Sequence, residues 1–130
     1  MKKWHDITLK LVGIYNIIWA VFVIFWPFQI FKLSGMELPL YPELWQCIGM
    51  IVGVYGLGYW IASYDPYKHW PIIFVGLMGK VFGPIGFLKA LYLERFNYKF
   101  GLVIITNDLI WIIPFFQILW ISYKKDLKKK

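Results

Sequence analysis

Cysteine is almost missing from this chain of 130 residues: Cys47 is the only one, and it lies inside an apolar stretch. No intrachain disulfide can form, and a cysteine-built metal cluster is excluded. Histidine is nearly as scarce. His5 and His69 both fall at the boundaries of apolar stretches, which argues against a haem held between two intramembrane histidines. A Ser-His-Asp set, a phosphate-binding glycine loop, and His-x-x-x-His or Glu-x-x-His metal pairs are also missing. The sequence therefore assigns no catalytic residue, no metal site and no cofactor. Charge is thin as well, at 16% of residues, and only 7 are acidic.

What fills the chain instead is apolar: 60% of residues are hydrophobic and 22% are aromatic. A soluble domain of this length leaves much of its area exposed and could not bury so much apolar surface, so lipid is the expected solvent. The length suits one membrane domain, residues 1–130. Four stretches are long enough to cross a bilayer, at about residues 9–26, 42–63, 71–92 and 100–123. Pro27 stops or kinks the first. Residues 28–40 mix Phe28, Ile30, Phe31 and Leu33 with Gln29, Lys32 and Glu37, as an interfacial segment does. Pro42 suits a first helical turn, where its missing N–H would have no partner. Short connections then predict an all-α, up-down-up-down four-helix membrane bundle. The first stretch exceeds the apolar core of a signal peptide and no Ala-x-Ala-like site follows it, so it is expected to remain as a transmembrane helix.

The formal net charge of +7 could suggest nucleic acid, but its placement points to membrane lipids as the partner and to no nucleic acid. Lys124, Lys125, Lys128, Lys129 and Lys130 follow the last span, while Lys2 and Lys3 precede the first. With four spans, both termini share one side with Lys10 and Lys68, and Lys32, Lys89, Arg95 and Lys99 occupy the other. This asymmetry predicts cytoplasmic termini and a multi-pass protein of the inner or plasma membrane. Trp4, Trp60, Tyr64, Tyr67, Trp70 and Tyr123 gather at the side of the termini, where amphipathic rings anchor helices among headgroups.

Polar residues inside the spans are then the exceptions to be explained. Lys80 lies about 13 Å along the third span from Pro71, and Asp108, beside Asn107, lies about 12 Å along the fourth from Phe100. In a hydrocarbon core about 30 Å thick the two differ in height by only about 5 Å, within reach of a lysine stem. Asn16 falls near the same level, so Asn16, Lys80 and Asp108 can form a polar knot between helices. Each charge alone would cost about 2.5 to 3.5 kcal/mol to insert, and an ion pair would ease both insertions. The same groups can also bind a ligand. Glu43 and Gln46 share one face of the second helix, and if they face Asp108 and Asn107 the outer half of the bundle holds an acidic pocket with Lys80 at its floor. Glu43, Gln46, Lys80, Asn107 and Asp108 are thus the candidate binding residues. Glu43 in a first helical turn also complements the helix dipole without any ligand.

Glycines form small-residue faces at Gly49 and Gly53 and at Gly79 and Gly83, which serve packing within the bundle or a homo-oligomer. Gly83-Pro84 places a kink one turn beyond Lys80. The run Tyr41-Pro42-Glu43-Leu44-Trp45-Gln46, entering a helix with Gly49, Gly53, Gly56 and Gly58, resembles the second helix of small DoxX-like membrane proteins, chiefly over residues 41–63. That resemblance implies a four-helix bundle and membership of a larger, quinone-linked redox complex. Taken together, the residues suit a non-catalytic membrane protein that binds a lipid or lipophilic molecule, or an accessory subunit of such a complex. Two alternatives stay open. One is a small proton-coupled transporter. The other is a lipid-modifying isomerase using Asp108 or Glu43 as acid or base, with Trp45, Trp111 and Phe115 around the substrate.

Overall fold

With almost no water in its surroundings, an apolar segment must satisfy its backbone internally, and a helix does so within one segment. The computed structural model describes residues 3–129, and the regular elements among them are all helices. Lys2 and Lys130, of the basic flanks, lie outside the described residues. Helix α1 covers Lys3–Phe25, the short α2 Gln29–Ser34, α3 Pro42–Ala62 and α4 Trp70–Tyr92. A single 3-10 turn, Tyr98–Phe100, leads into α5, Gly101–Ile104; a π-helical turn, Ile105–Leu109, joins this to α6, Ile110–Lys129. Four helical stretches are long and apolar enough to cross a membrane: Trp4–Phe25, Pro42–Ala62, Trp70–Tyr92 and Tyr98–Asp126.

The first helix starts earlier than hydropathy indicates, because Lys3, Asp6 and Lys10 continue it beyond its apolar part. Pro27 ends it, as expected, and α2 follows at once. Gly35 closes α2 with φ 69°, the left-handed conformation that glycine adopts without steric cost, and Met36 N–H donates to the Phe31 carbonyl at 2.9 Å. Proline stands in the first turn of both α3 and α4. Pro84 does not end α4, which runs unbroken as helix from Trp70 to Tyr92. The last span departs most from expectation. Instead of one regular helix it contains the wide π turn around Asn107 and Asp108.

The most extensive interface joins α1 to α3. Small residues make it: a side chain at Gly56 would sit 2.7 Å from the Gly13 carbonyl, and one at Gly13 would sit 2.8 Å from the Gly56 carbonyl. The two backbones therefore cross in contact at this point. Gly53 receives Ala20, and Gly49 receives Val23, so the small face of α3 is used within the bundle. By contrast, nothing lies within 4 Å of a side chain placed at Gly79 or Gly86 on α4. Helix α4 packs on α6 and the π turn, while the α3/α4 and α1/α6 seams are thinner.

Two apolar clusters divide the interior. Leu9, Val12, Tyr59, Ile73, Phe115 and Ile118 pack towards the termini, and Val23, Ile30 and Phe100 pack at the opposite end. Between them lies a layer with buried Asn16 and Lys80. Replacing Gly56 with Leu would force α1 and α3 apart and is expected to cost about 1 to 3 kcal/mol or more, as overpacking does, whereas Gly86→Leu should be close to neutral. Reversible unfolding of the two variants in mixed detergent checks this; equal stabilities would contradict the crossing.

Candidate functional site

A π turn accommodates one extra residue, so its carbonyls are offset from the regular helical ladder and are open to other donors. Two of them are taken up by side chains. Trp111 Nε1 donates to the Thr106 carbonyl at 2.8 Å, and Lys80 Nζ donates to the Asn107 carbonyl, also at 2.8 Å. Thr106, Asn107 and Asp108 are weak helix formers that offer the backbone competing hydrogen bonds, which is why the helix loosens at this point. The Thr106 hydroxyl donates back to the Leu102 carbonyl at 2.9 Å. The Thr106 oxygen and Asn107 Oδ1 both lie within hydrogen-bond reach of the Tyr15 hydroxyl, and they share its one proton. Helix α1 is tied in this way to the π turn.

Lys80 is only 5% exposed, so the remainder of its ammonium shell decides whether a charge can persist there. The faces of Tyr59 and Phe115 lie 5.6 and 5.4 Å from Nζ, and those two rings pack edge-on at 5.1 Å. Ring quadrupoles attract a cation at such distances. Gly76 makes room for this arrangement, because any side chain there would overlap the Tyr59 ring. The contact expected between Lys80 and the Asp108 carboxylate is therefore replaced by one to the neighbouring main-chain carbonyl.

Asp108 is held differently. Its Oδ2 lies 2.6 Å from where a Cβ on Gly83 would be, so the carboxylate rests against the α4 backbone at a place only glycine permits. Pro84, next along α4, has no N–H for the Lys80 carbonyl, which loses its helical donor. No described residue donates a hydrogen bond to Asp108, although Lys80 is near enough to act on it electrostatically. Asn16, across the bundle, donates from Nδ2 to the Val52 carbonyl at 3.2 Å.

These groups line one cavity of about 220 Å³ with Asn16, Tyr59, Lys80, Asn107 and Asp108 on its walls. Ile51 and Tyr55 of α3 and Val75 and Gly79 of α4 also line it, and all four are exposed on the outer surface. The cavity thus opens sideways through the thin α3/α4 seam. Of the residues singled out in sequence, the structure brings Asn16, Lys80, Asn107 and Asp108 together. Glu43 is exposed in the first turn of α3, and Gln46 donates to the Ile24 carbonyl at 2.8 Å, capping the end of α1; neither lines this cavity. The aromatic trio is separated too. Trp45 packs with Trp19, Phe31 and Phe100, Trp111 lies beside Tyr15, and Phe115 alone reaches Lys80.

Tyr15, Tyr55 and Tyr59 were not marked by sequence reasoning. Their signal is depth: a tyrosine at mid-span, unlike one in an interfacial belt, needs a partner for its hydroxyl. No family model matches this chain, and comparison with curated proteins and with solved structures finds no match.

The arrangement makes Lys80 and Asp108 energetically coupled without a direct bond. Lys80→Met is expected to cost about 1.5 to 3 kcal/mol by removing the charged donor from the Asn107 carbonyl, and adding Asp108→Asn should recover part of that loss if the carboxylate also depends on the cation. A double-mutant cycle in the unfolding assay measures the coupling; strictly additive effects would show that the two groups are independent.

Proposed function

We propose that this protein binds a lipophilic molecule bearing a small polar head, admitted sideways from the bilayer between α3 and α4. One observation carries the reading: a carboxylate with no hydrogen-bond donor among the described residues stands beside a lysine in a cavity that opens onto the apolar outer surface. Charged groups at this depth are costly, and a satisfied packing knot would close upon itself. This one remains open at Asp108.

Chemistry narrows the head group. Asp108 can accept from a hydroxyl or an amine, and Lys80 has donors beyond the one given to Asn107, so a hydroxyl can serve both. Size narrows it further. At about 220 Å³ the cavity falls below the roughly 300 to 1,000 Å³ of pockets that enclose a whole drug-sized ligand. A head group enters, and the hydrocarbon remainder lies in the seam and in lipid. The basic flanks favour a cytoplasmic location for both termini, in an inner or plasma membrane. The exposed faces of α4 at Gly79 and Gly86 would also suit attachment to a larger membrane complex.

Gly79 provides the cleanest test, since it borders the opening and a Cβ there would have no described neighbour within 4 Å. Gly79→Phe is expected to leave folding intact and to reduce labelling by a photoreactive long-chain alcohol about tenfold, with Asp108→Leu giving a similar loss. Adducts are mapped by mass spectrometry of protein in native membrane. Unchanged labelling at the cavity residues in folded Gly79→Phe protein would rule out entry by this route.

A further inference from the structure

A second pair of cavities lies at the end of the bundle that carries both termini. One, of about 660 Å³, lies between the turn that follows α3 and the end of α6, and is lined by Asp65, Lys68, Lys125 and Asp126 with Tyr64 and Tyr67. The other, of about 210 Å³, is a largely apolar groove between α4 and α6, where Phe74 and Leu119 provide the walls. Trp70, Ser122 and Asp126 line both, so the polar recess continues into the apolar groove. Ser122 at their junction is small and buried, and its hydroxyl is already given to the Ile118 carbonyl at 2.8 Å. Ser122 therefore adds no unmet polar group to the passage.

We propose that this composite site holds one phospholipid whose headgroup carries a primary ammonium beside its phosphate, with part of an acyl chain in the groove. Charge complementarity selects the headgroup. Two lysines and two aspartates give the recess no net charge, which matches a zwitterion; an anionic lipid brings a phosphate to the lysines but no cation to Asp126. Lys68 and Lys125 supply donors for the phosphate. Lys125 is held in position to do so, because its ammonium lies 4.2 Å from the centre of the Tyr67 ring, and the buried Tyr67 hydroxyl shares a 2.7 Å hydrogen bond with His5 Nδ1. Asp65 lines the recess alone, whereas Asp126 lines both recess and groove and so stands where the ammonium of a lipid with its chain in the groove would lie. A quaternary headgroup has no N–H to give it. This selection differs from the general attraction of the basic tail to anionic membrane surfaces, which discriminates by charge alone.

The test uses the full chain in bilayer discs of equal parts phosphatidylethanolamine, phosphatidylcholine and phosphatidylglycerol, followed by native mass spectrometry of the lipids that survive stepwise delipidation. The wild type should keep one ethanolamine lipid about tenfold over the choline lipid, as one charge-assisted hydrogen bond gives. Asp126→Asn should erase that preference, and Lys125→Ala should lower retention of every phospholipid. Both residues are exposed, so neither variant threatens folding. Dependence on Asp126 separates this site from the mid-depth cavity, which Asp126 does not line. Equal retention of the three lipids by the wild type, or a preference for phosphatidylglycerol that Asp126→Asn does not alter, would overturn the proposal.

Discussion

A lysine ammonium at membrane depth must find an acceptor within the protein, and in this bundle the acceptor is a main-chain carbonyl. Lys80 can be buried because the π turn presents the Asn107 oxygen to it and two aromatic faces complete its surroundings. The turn depends in its own way on local chemistry, since Thr106 and Asn107 hold it to Tyr15 of α1. Three helices are thereby fixed at one level. Asp108 follows from the same geometry: the wide turn lays its carboxylate against Gly83, beside the cation but not bonded to it.

The packing around this layer is unequal, and the inequality gives the site its access. Glycine and alanine let α1 and α3 meet backbone to backbone, while α4 gathers on α6. The seam between these two pairs is thin on the α3/α4 side, where Tyr55 and Gly79 stand at the outer surface. In lipid, close backbone contact is what drives helix association, so a seam without it is the natural place for another molecule. The opening therefore follows from the distribution of small residues, as the polar layer follows from the π turn.

Much of this was legible in the sequence, for physical reasons that differ by residue. The spans could be read because hydropathy acts over many residues at once, and Pro27 and Pro42 fall beside an end and a start, although Pro84 lies inside α4 without ending it. Lys80, Asp108 and Asn16 stood out because polar groups are rare in such stretches, and helical rise alone put them at one level. Rotation was not legible. Gln46 lies on a face shared with Glu43, yet that face turns towards the end of α1, where an unpaired carbonyl of Ile24 needs a donor. The π turn was hidden as well, since three poor helix formers in a row are compatible with a regular helix in lipid. Which acceptor Lys80 would choose depended on that hidden turn.

If the cavity opens to the bilayer, Asp108 is reachable from the lipid phase, and a hydrophobic carbodiimide tests this most directly because such reagents modify carboxyl groups exposed to the bilayer interior. Treatment of native membranes with dicyclohexylcarbodiimide in mildly acidic buffer, followed by peptide mass spectrometry, should place an adduct on Asp108 and should fail to do so in Gly79→Phe protein. Modification confined to Glu43 and the carboxylates outside the spans, with Asp108 untouched in the wild type, would contradict lateral access and leave the polar layer as sealed packing.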